Sequence, residues 1–230
     1  MALIDEVKEQ HAKVKGKGFK YKFSYFWEYY RIHTLVAVII LILGFSLIKS
    51  MVTAKKTVFQ AIFVNAIHVP SDQEFATALQ INEKKEAVLI DGSYTISLDT
   101  YDQYSYANQQ KLMAVMASRD AEVIVSDSAY IESYMNSEVF GDLREFFSDA
   151  ELAAMGDKVI WHKPVNAETG EEGENMPLAI DITDAPQIKD NVCFAPESKV
   201  YMGVICNTKR AATIPVFYNF LYSSSSSATE

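Results

Sequence analysis

The sequence predicts a single α/β domain with a mixed sheet, held outside the cytoplasm by one N-terminal transmembrane helix. Three observations carry this expectation. Residues 32–52 (IHTLVAVIILILGFSLIKSMV) hold 13 Ile, Leu, Val or Phe in 21 positions, with no charge between Leu35 and Ile48. An α-helix needs ~20 mostly apolar residues to cross a bilayer core, because lipid leaves the backbone no other partner. Beyond Thr53, strand-like and helix-like segments alternate, the pattern of a layered α/β domain with a partly parallel sheet. The charge also divides at the apolar run. Up to Val52 there are eight Lys or Arg against four Asp or Glu, and from Thr53 onward 13 against 26.

Seven of the eight N-terminal cations precede the apolar run. Short basic flanks stay on the cytoplasmic side, so the N-terminus is expected in the cytoplasm of a cell-membrane protein and the remainder outside. The competing reading is a cleaved signal peptide, since Val52-Thr53-Ala54 resembles a small-residue processing site; the basic region of more than 30 residues and Lys49 count against it. The resulting organisation is a cytoplasmic juxtamembrane segment (1–31), a transmembrane helix (32–52), an extracytoplasmic domain (53–222) and a Ser-rich disordered tail (223–230).

Each segment has its own signal. Leu3, Val7, His11 and Val14 are spaced to line one face of a short helix. Phe19, Tyr21, Phe23, Tyr25, Phe26, Trp27, Tyr29 and Tyr30 interleave with Lys15, Lys17, Lys20 and Lys22. Beside a span, that mixture suits an anionic membrane interface at ~1 kcal/mol per cation, and the expected partner is the lipid bilayer, not nucleic acid. Residues 57–66 (TVFQAIFVNA) read as a strand, and Ser71 with Glu74 as a capping box opening a helix. Residues 87–90 and 94–98 read as two strands around an Asp91-Gly92 turn. Residues 104–118 read as a helix burying Leu112, Val115 and Met116, residues 122–125 as a short strand, and 128–137 as the next helix. Ser148 and Glu151 form a second capping box, residues 168–175 (ETGEEGEN) an exposed acidic loop, residues 178–182 and 200–206 strands, and 215–222 a helix with Pro in its first turn.

The segment QQKLMAVMASRDAEVIVSDSAYIESYMNSEVFGDLREFF (109–147) resembles part of bacterial extracellular solute-binding proteins, the receptors of ABC importers. The likeness runs from a helix at 111–118 through the Arg119-Asp120-Ala121 turn and the strand 122–125 ending in Asp127. It continues into a helix around Tyr130 to Asn136 and closes at Gly141-Asp142-Leu143. Residues 202–222 resemble a second recurring segment of those receptors, a strand leading into a lobe-closing helix. The resemblance implies a periplasmic-binding-protein-like lobe. Such receptors use two lobes in about twice this length, so here it implies about one. The overall layout also resembles single-pass membrane proteins of Gram-positive bacteria.

In open α/β sheets ligands sit beyond the carboxyl ends of the strands. That criterion selects Asn65, His68 and Ser71 after the first strand, and Ser126, Asp127, Ser128 and Tyr130 after the central one, with Tyr130 as a stacking ring. The structural account of the same residues is that Ser126 or Ser128 caps a helix, Asp127 favours its N-terminus and Tyr130 packs. No H-E-x-x-H, G-x-S-x-G or P-loop pattern occurs, so no catalytic residue, metal ligand or cofactor is assigned. The acidic loop lacks the fixed ligand spacing of a calcium loop. Cys193 and Cys206 are expected to be two buried free thiols. The functional expectation is an anchored, non-enzymatic outer domain that captures or senses a small solute or peptide. The alternative is an accessory subunit of a transporter or envelope complex. A single span with about 30 residues before it needs a membrane-protein partner in either case.

Overall fold

The computed structural model describes residues 18–99, 102–165 and 170–224, and divides the chain into two compact units at residues 54 and 55. The first unit contains one helix, α1 (Phe19–Thr53), of 35 residues. Within it Arg31–Thr53 is long and apolar enough to cross a membrane, with a mean hydropathy of 2.6 and no buried residue in its apolar window. The helix begins twelve residues before Arg31, directly after Gly18, because nothing from Phe19 onward interrupts helical backbone. The proposed face of Leu3, Val7, His11 and Val14, with Lys15 and Lys17, lies outside the described residues.

The second unit is built on a six-stranded sheet in the order β2-β1-β3-β6-β5-β4. The strands are β1 (Lys56–Val64), β2 (Glu86–Tyr94), β3 (Val123–Asp127), β4 (Val159–His162), β5 (Met176–Asp181) and β6 (Val200–Val204). β2, β1 and β3 are parallel, while β6, β5 and β4 join by antiparallel pairing, so the sheet is mixed as expected. Helices cover both faces. On one side lie α2 (Asp72–Ala78), α5 (Asp149–Met155), α6 (Pro186–Lys189) and α7 (Ile214–Leu221), and on the other α3 (Gln103–Ser118) and α4 (Ser128–Ser133).

The period-2 geometry of a strand divides the core between the two faces. Phe59, Ala61 and Phe63 point to the first face, with Val123, Val125, Met202 and Val204. Ile62 and Val64 point to the other, with Ile124 and Tyr201. Burial on both faces explains why these strands read as continuous apolar runs instead of alternating ones. From β1 the chain steps one way along the sheet to β2, then back across β1 to β3. A common right-handed crossover therefore places α2 and α3 on opposite faces.

Several local expectations need correction. The two strands expected around Asp91-Gly92 are one strand, because it pairs with β1 along its length and bulges by one residue opposite the stretch between Ile62 and Val64. The Asx bond survives inside it, Asp91 Oδ1 accepting from the Ser93 amide at 2.9 Å. Gly92 is needed for space, since a Cβ there meets Val69 Cγ1 at 2.6 Å. α4 ends at Ser133, four residues short of the expected end. Val115 and Met116 are half-buried, leaving Leu112 as the fully buried anchor of α3. The short edge strand β4 carries no sequence signal, since four residues give too little pattern. Both cysteines are free, but only Cys193 is buried. Burial pushes its thiol up to about 12, whereas Cys206 is exposed.

Both Ser71 and Ser148 cap their helices, and the complete capping box is shown at Ser148. The Ser71 hydroxyl accepts from the Glu74 amide at 3.3 Å, and Ser148 with Glu151 forms a complete capping box. Residues 170–175 of the acidic loop are exposed, and residues 166–169 and 225–230 lie outside the described set. One close approach controls the centre of the sheet. Gly203, paired with Ile124 and Ala179, lies under the Phe140 ring, which any added Cβ would strike. Gly203→Ala is expected to destabilise the domain by about 1–3 kcal/mol through overpacking, readable as a lower denaturant midpoint at unchanged slope.

Candidate functional site

β1 and β3 are adjacent parallel strands whose outgoing chains leave toward opposite faces, β1 toward α2 and β3 toward α4. Diverging connections open a crevice at the carboxyl ends of such a pair, the usual ligand position in open α/β sheets. Asn65 and Asp127 sit there, one at each strand end.

Asn65 follows the last residue of β1 with φ of 60°, a left-handed conformation that Asn tolerates better than most residues. Its amide continues the β1–β2 pairing in side-chain form: Oδ1 accepts from the Ile96 amide at 2.8 Å and Nδ2 donates to the Ile96 carbonyl at 2.9 Å. The same Nδ2 lies 3.5 Å from Asp127 Oδ2. Asp127 caps α4, its Oδ1 accepting from the Tyr130 amide at 3.0 Å. Among the described residues its Oδ2 has two long contacts, to Asn65 Nδ2 and, at 3.4 Å, to the Ser126 hydroxyl, whose shorter bond goes to the Val64 carbonyl. Asp127 is half-buried, so this oxygen is the lightly engaged acceptor of the site.

The remaining residues divide. Ser126 is fully buried and donates to the Val64 carbonyl at 3.0 Å, cross-linking the ends of β1 and β3. Ser128 is half-buried, and its amide donates to the Lys199 carbonyl at 2.9 Å. His68 is exposed on the loop after β1, its backbone amide 3.5 Å from the Cys193 carbonyl. No contact joins His68 to the Asn65–Asp127 pair among the described residues. Tyr130 requires a correction. It is buried in the core with Leu112, Ile124 and Tyr201, 5.2 Å from the Tyr134 ring, and offers no face for stacking. Burial pushes its phenol far above the ordinary range, with Tyr134 adding to the effect, so it stays neutral. The cause is helical geometry: with Asp127 as cap, position 130 falls on the inward face of α4 together with Ile131.

Sequence reasoning missed the contribution of Ile96, whose backbone groups hold Asn65, because backbone roles leave no residue-type signal. It also missed Glu122, fully buried at the amino end of β3. There its carboxylate accepts from the Gln60 amide at 2.7 Å and from Arg210 Nε at 2.8 Å. Lying at the end of the sheet opposite the crevice, that pair is a structural clamp. Among the described residues no three His, Cys, Asp or Glu side chains converge as a metal site would require. No protein-family model, curated protein or solved structure matches this chain.

Proposed function

We propose that this chain is a single-pass membrane protein whose α/β domain lies outside the cytoplasm. There it captures or senses a small solute or peptide, without catalysis, at the crevice between the ends of β1 and β3. The observation that carries the reading is Asp127 Oδ2, an oxygen of a half-buried carboxylate at the strand switch point, with two long contacts of 3.4 and 3.5 Å among the described residues. Such an oxygen suits an amine or hydroxyl donor from a ligand, since hydrogen bonds to charged groups contribute ~1.5–3 kcal/mol. Asn65, Ser126 and Ser128 adjoin this position, His68 belongs to the proposed site by its place on the loop after β1, and Tyr130 supports it from the core. The likeness to one lobe of an ABC-importer receptor belongs to this proposal, supported by the parallel β2-β1-β3 unit with helices on both faces. The apolar stretch Arg31–Thr53 supports the anchor, and the excess of cations before it supports a cytoplasmic N-terminus.

A thermal-shift screen of the full chain in lipid nanodiscs, against amino acids, sugars and short peptides, tests the proposal. A ligand at 100 times its dissociation constant stabilises by ~2.7 kcal/mol, a rise of roughly 5–10 °C for a domain of this size. Asp127→Asn is expected to abolish that rise while leaving the unliganded melting temperature nearly unchanged, because Asn caps helices about as well as Asp. A hit that survives in Asp127→Asn places binding elsewhere.

A flat screen favours the accessory-subunit reading, which has its own support. Ile67 and Val192 are 58% and 50% exposed, and the Ile67 amide bonds the carbonyl of Cys193, the residue next to Val192. Val192 is a β-branched residue at φ of 50°, a costly conformation. Apolar side chains in such a loop suit contact with a protein partner, and co-purification of a multi-span protein is the outcome expected under that reading.

A further inference from the structure

The 35 residues of α1 make a rod of about 52 Å at 1.5 Å per residue. A bilayer with both headgroup layers is ~40–45 Å thick. An upright helix therefore drives its first one to two turns into water; these carry Phe19 and Phe23, with Phe26 and Trp27 directly behind them. These four side chains are 83%, 59%, 45% and 55% exposed, and Phe23 stacks on Trp27 with ring centroids 6.3 Å apart.

Their spacing is helical. Positions 19, 23, 26 and 27 fall on one stripe roughly 100° wide, while Glu28 falls on the far side. Lys20 and Arg31 stand along one border of the stripe, and position 22, also Lys, along the other. An apolar stripe bordered by cations is the layout of a helix face resting in an anionic headgroup layer, where cationic side chains reach phosphates while rings enter the acyl boundary.

We propose that α1 is tilted, and that the stripe of Phe19, Phe23, Phe26 and Trp27 on its cytoplasmic extension docks onto the anionic cytoplasmic leaflet of the membrane. Tilting by about 35° shortens the projection of the rod to the full bilayer thickness, within the 0–40° range of membrane helices. It also brings one side of the extension down onto the lipid. The occupant follows from charge complementarity: the segment before the span is net positive, and an anionic surface attracts each cation by ~1 kcal/mol. The inference rests on the membrane-anchored reading.

The test uses the chain's two tryptophans, Trp27 and Trp161. Full-length protein carrying Trp161→Phe, so that only Trp27 emits, is reconstituted into phosphatidylcholine vesicles with or without an equal part of phosphatidylglycerol. Trp161→Tyr replaces it should the first variant fail to fold. Flotation comes first: protein that does not float with the vesicles refutes the anchor itself, and the tilt with it. For floating protein, Trp27 is expected to lose most of its emission to a nitroxide near the headgroup and little to one deep in the acyl chains. Aqueous iodide should quench it several-fold less in phosphatidylglycerol vesicles than in phosphatidylcholine alone. Adding Phe19→Ser and Phe23→Ser should restore iodide quenching. Full iodide access in anionic vesicles overturns the proposal in favour of a projecting helix. Protection from both iodide and lipid nitroxides overturns it in favour of a protein neighbour, a second copy included.

Discussion

Replacing Phe217 by Ala is expected to lower the stability of the α/β domain by about 3–5 kcal/mol, the range for deleting a buried ring. Phe217 is fully buried at the meeting point of three elements. Its centroid lies 4.8 Å from that of Phe59 on β1 and 5.0 Å, edge to face, from that of Phe75 on α2. Phe59 and Phe75 meet each other at 4.8 Å, and Phe220 closes the group 5.2 Å from Phe75. Contacts of this geometry add ~0.5–1.5 kcal/mol per pair beyond the burial itself. α7 closes this face of the sheet with Ile214, Phe217, Phe220 and Leu221, so the cavity left by Ala opens under a helix only eight residues long. A fall in melting temperature of roughly 10 °C or more is the expected reading for a domain of this size. A change below about 1 kcal/mol by chemical denaturation would show that α7 collapses into the space or contributes little to this face.

Arg210→Ala is expected to cost about 3 kcal/mol at neutral pH, because it strands a buried carboxylate. Arg210 Nε bonds Glu122 at 2.8 Å, while its two terminal nitrogens donate to the carbonyls of Thr57 at 2.6 Å and Asp120 at 2.8 Å. Glu122, with a fully buried side chain, also accepts from the Gln60 amide and from the Thr208 hydroxyl at 3.2 Å. One guanidinium thus ties the segment after β6 to the amino ends of β1 and β3. Loss of water around the Glu122 carboxyl outweighs the Gln60 bond and the Arg210 charge, and holds its proton affinity above the ordinary value of about 4.5. For an acid raised in the folded state, the stabilising contribution is complete below the unfolded value. It is lost as pH rises through the folded one. The native domain should therefore gain on its Glu122→Gln variant as pH falls toward 4.5. The penalty of Arg210→Ala should shrink over the same interval, as Glu122 takes up a proton. Denaturation midpoints of the three proteins across that interval decide it, and a penalty independent of pH would mean that Glu122 is not the stranded group.

The candidate site was legible to different depths. Asn65 and Asp127 could be named from sequence because a polar residue at the end of an apolar run marks a strand's carboxyl end, where open sheets gather ligands. Their juxtaposition could not, since it depends on β1 and β3 being neighbours while β2, which intervenes in the chain, lies on the other side of β1. Ser126 and Tyr130 show the limit of residue type as a guide. Their hydroxyls suit a binding site, yet the pleat of β3 and the register of α4 turn both inward: the Ser126 hydroxyl bonds the Val64 carbonyl and the Tyr130 ring packs on that of Tyr134. Asp91-Gly92 shows the same limit for turn chemistry: cross-strand pairing to β1 outweighs a local turn preference.

The sequence alone determined the apolar helix, the charge step across it, the alternation of strands with helices, and both capping residues Ser71 and Ser148. Each is a local property, set by hydropathy over about 20 residues or by a side chain bonding an amide three positions away. Only the tertiary structure decided the strand order, the joining of Asn65 to Asp127, the burial of Tyr130 and the clamp between Glu122 and Arg210. The two polar pairs among these join groups 62 and 88 positions apart in the chain. Nothing in either partner's neighbourhood encodes such a meeting; it arises when both faces of the sheet are buried and the polar groups left at its ends must find one another.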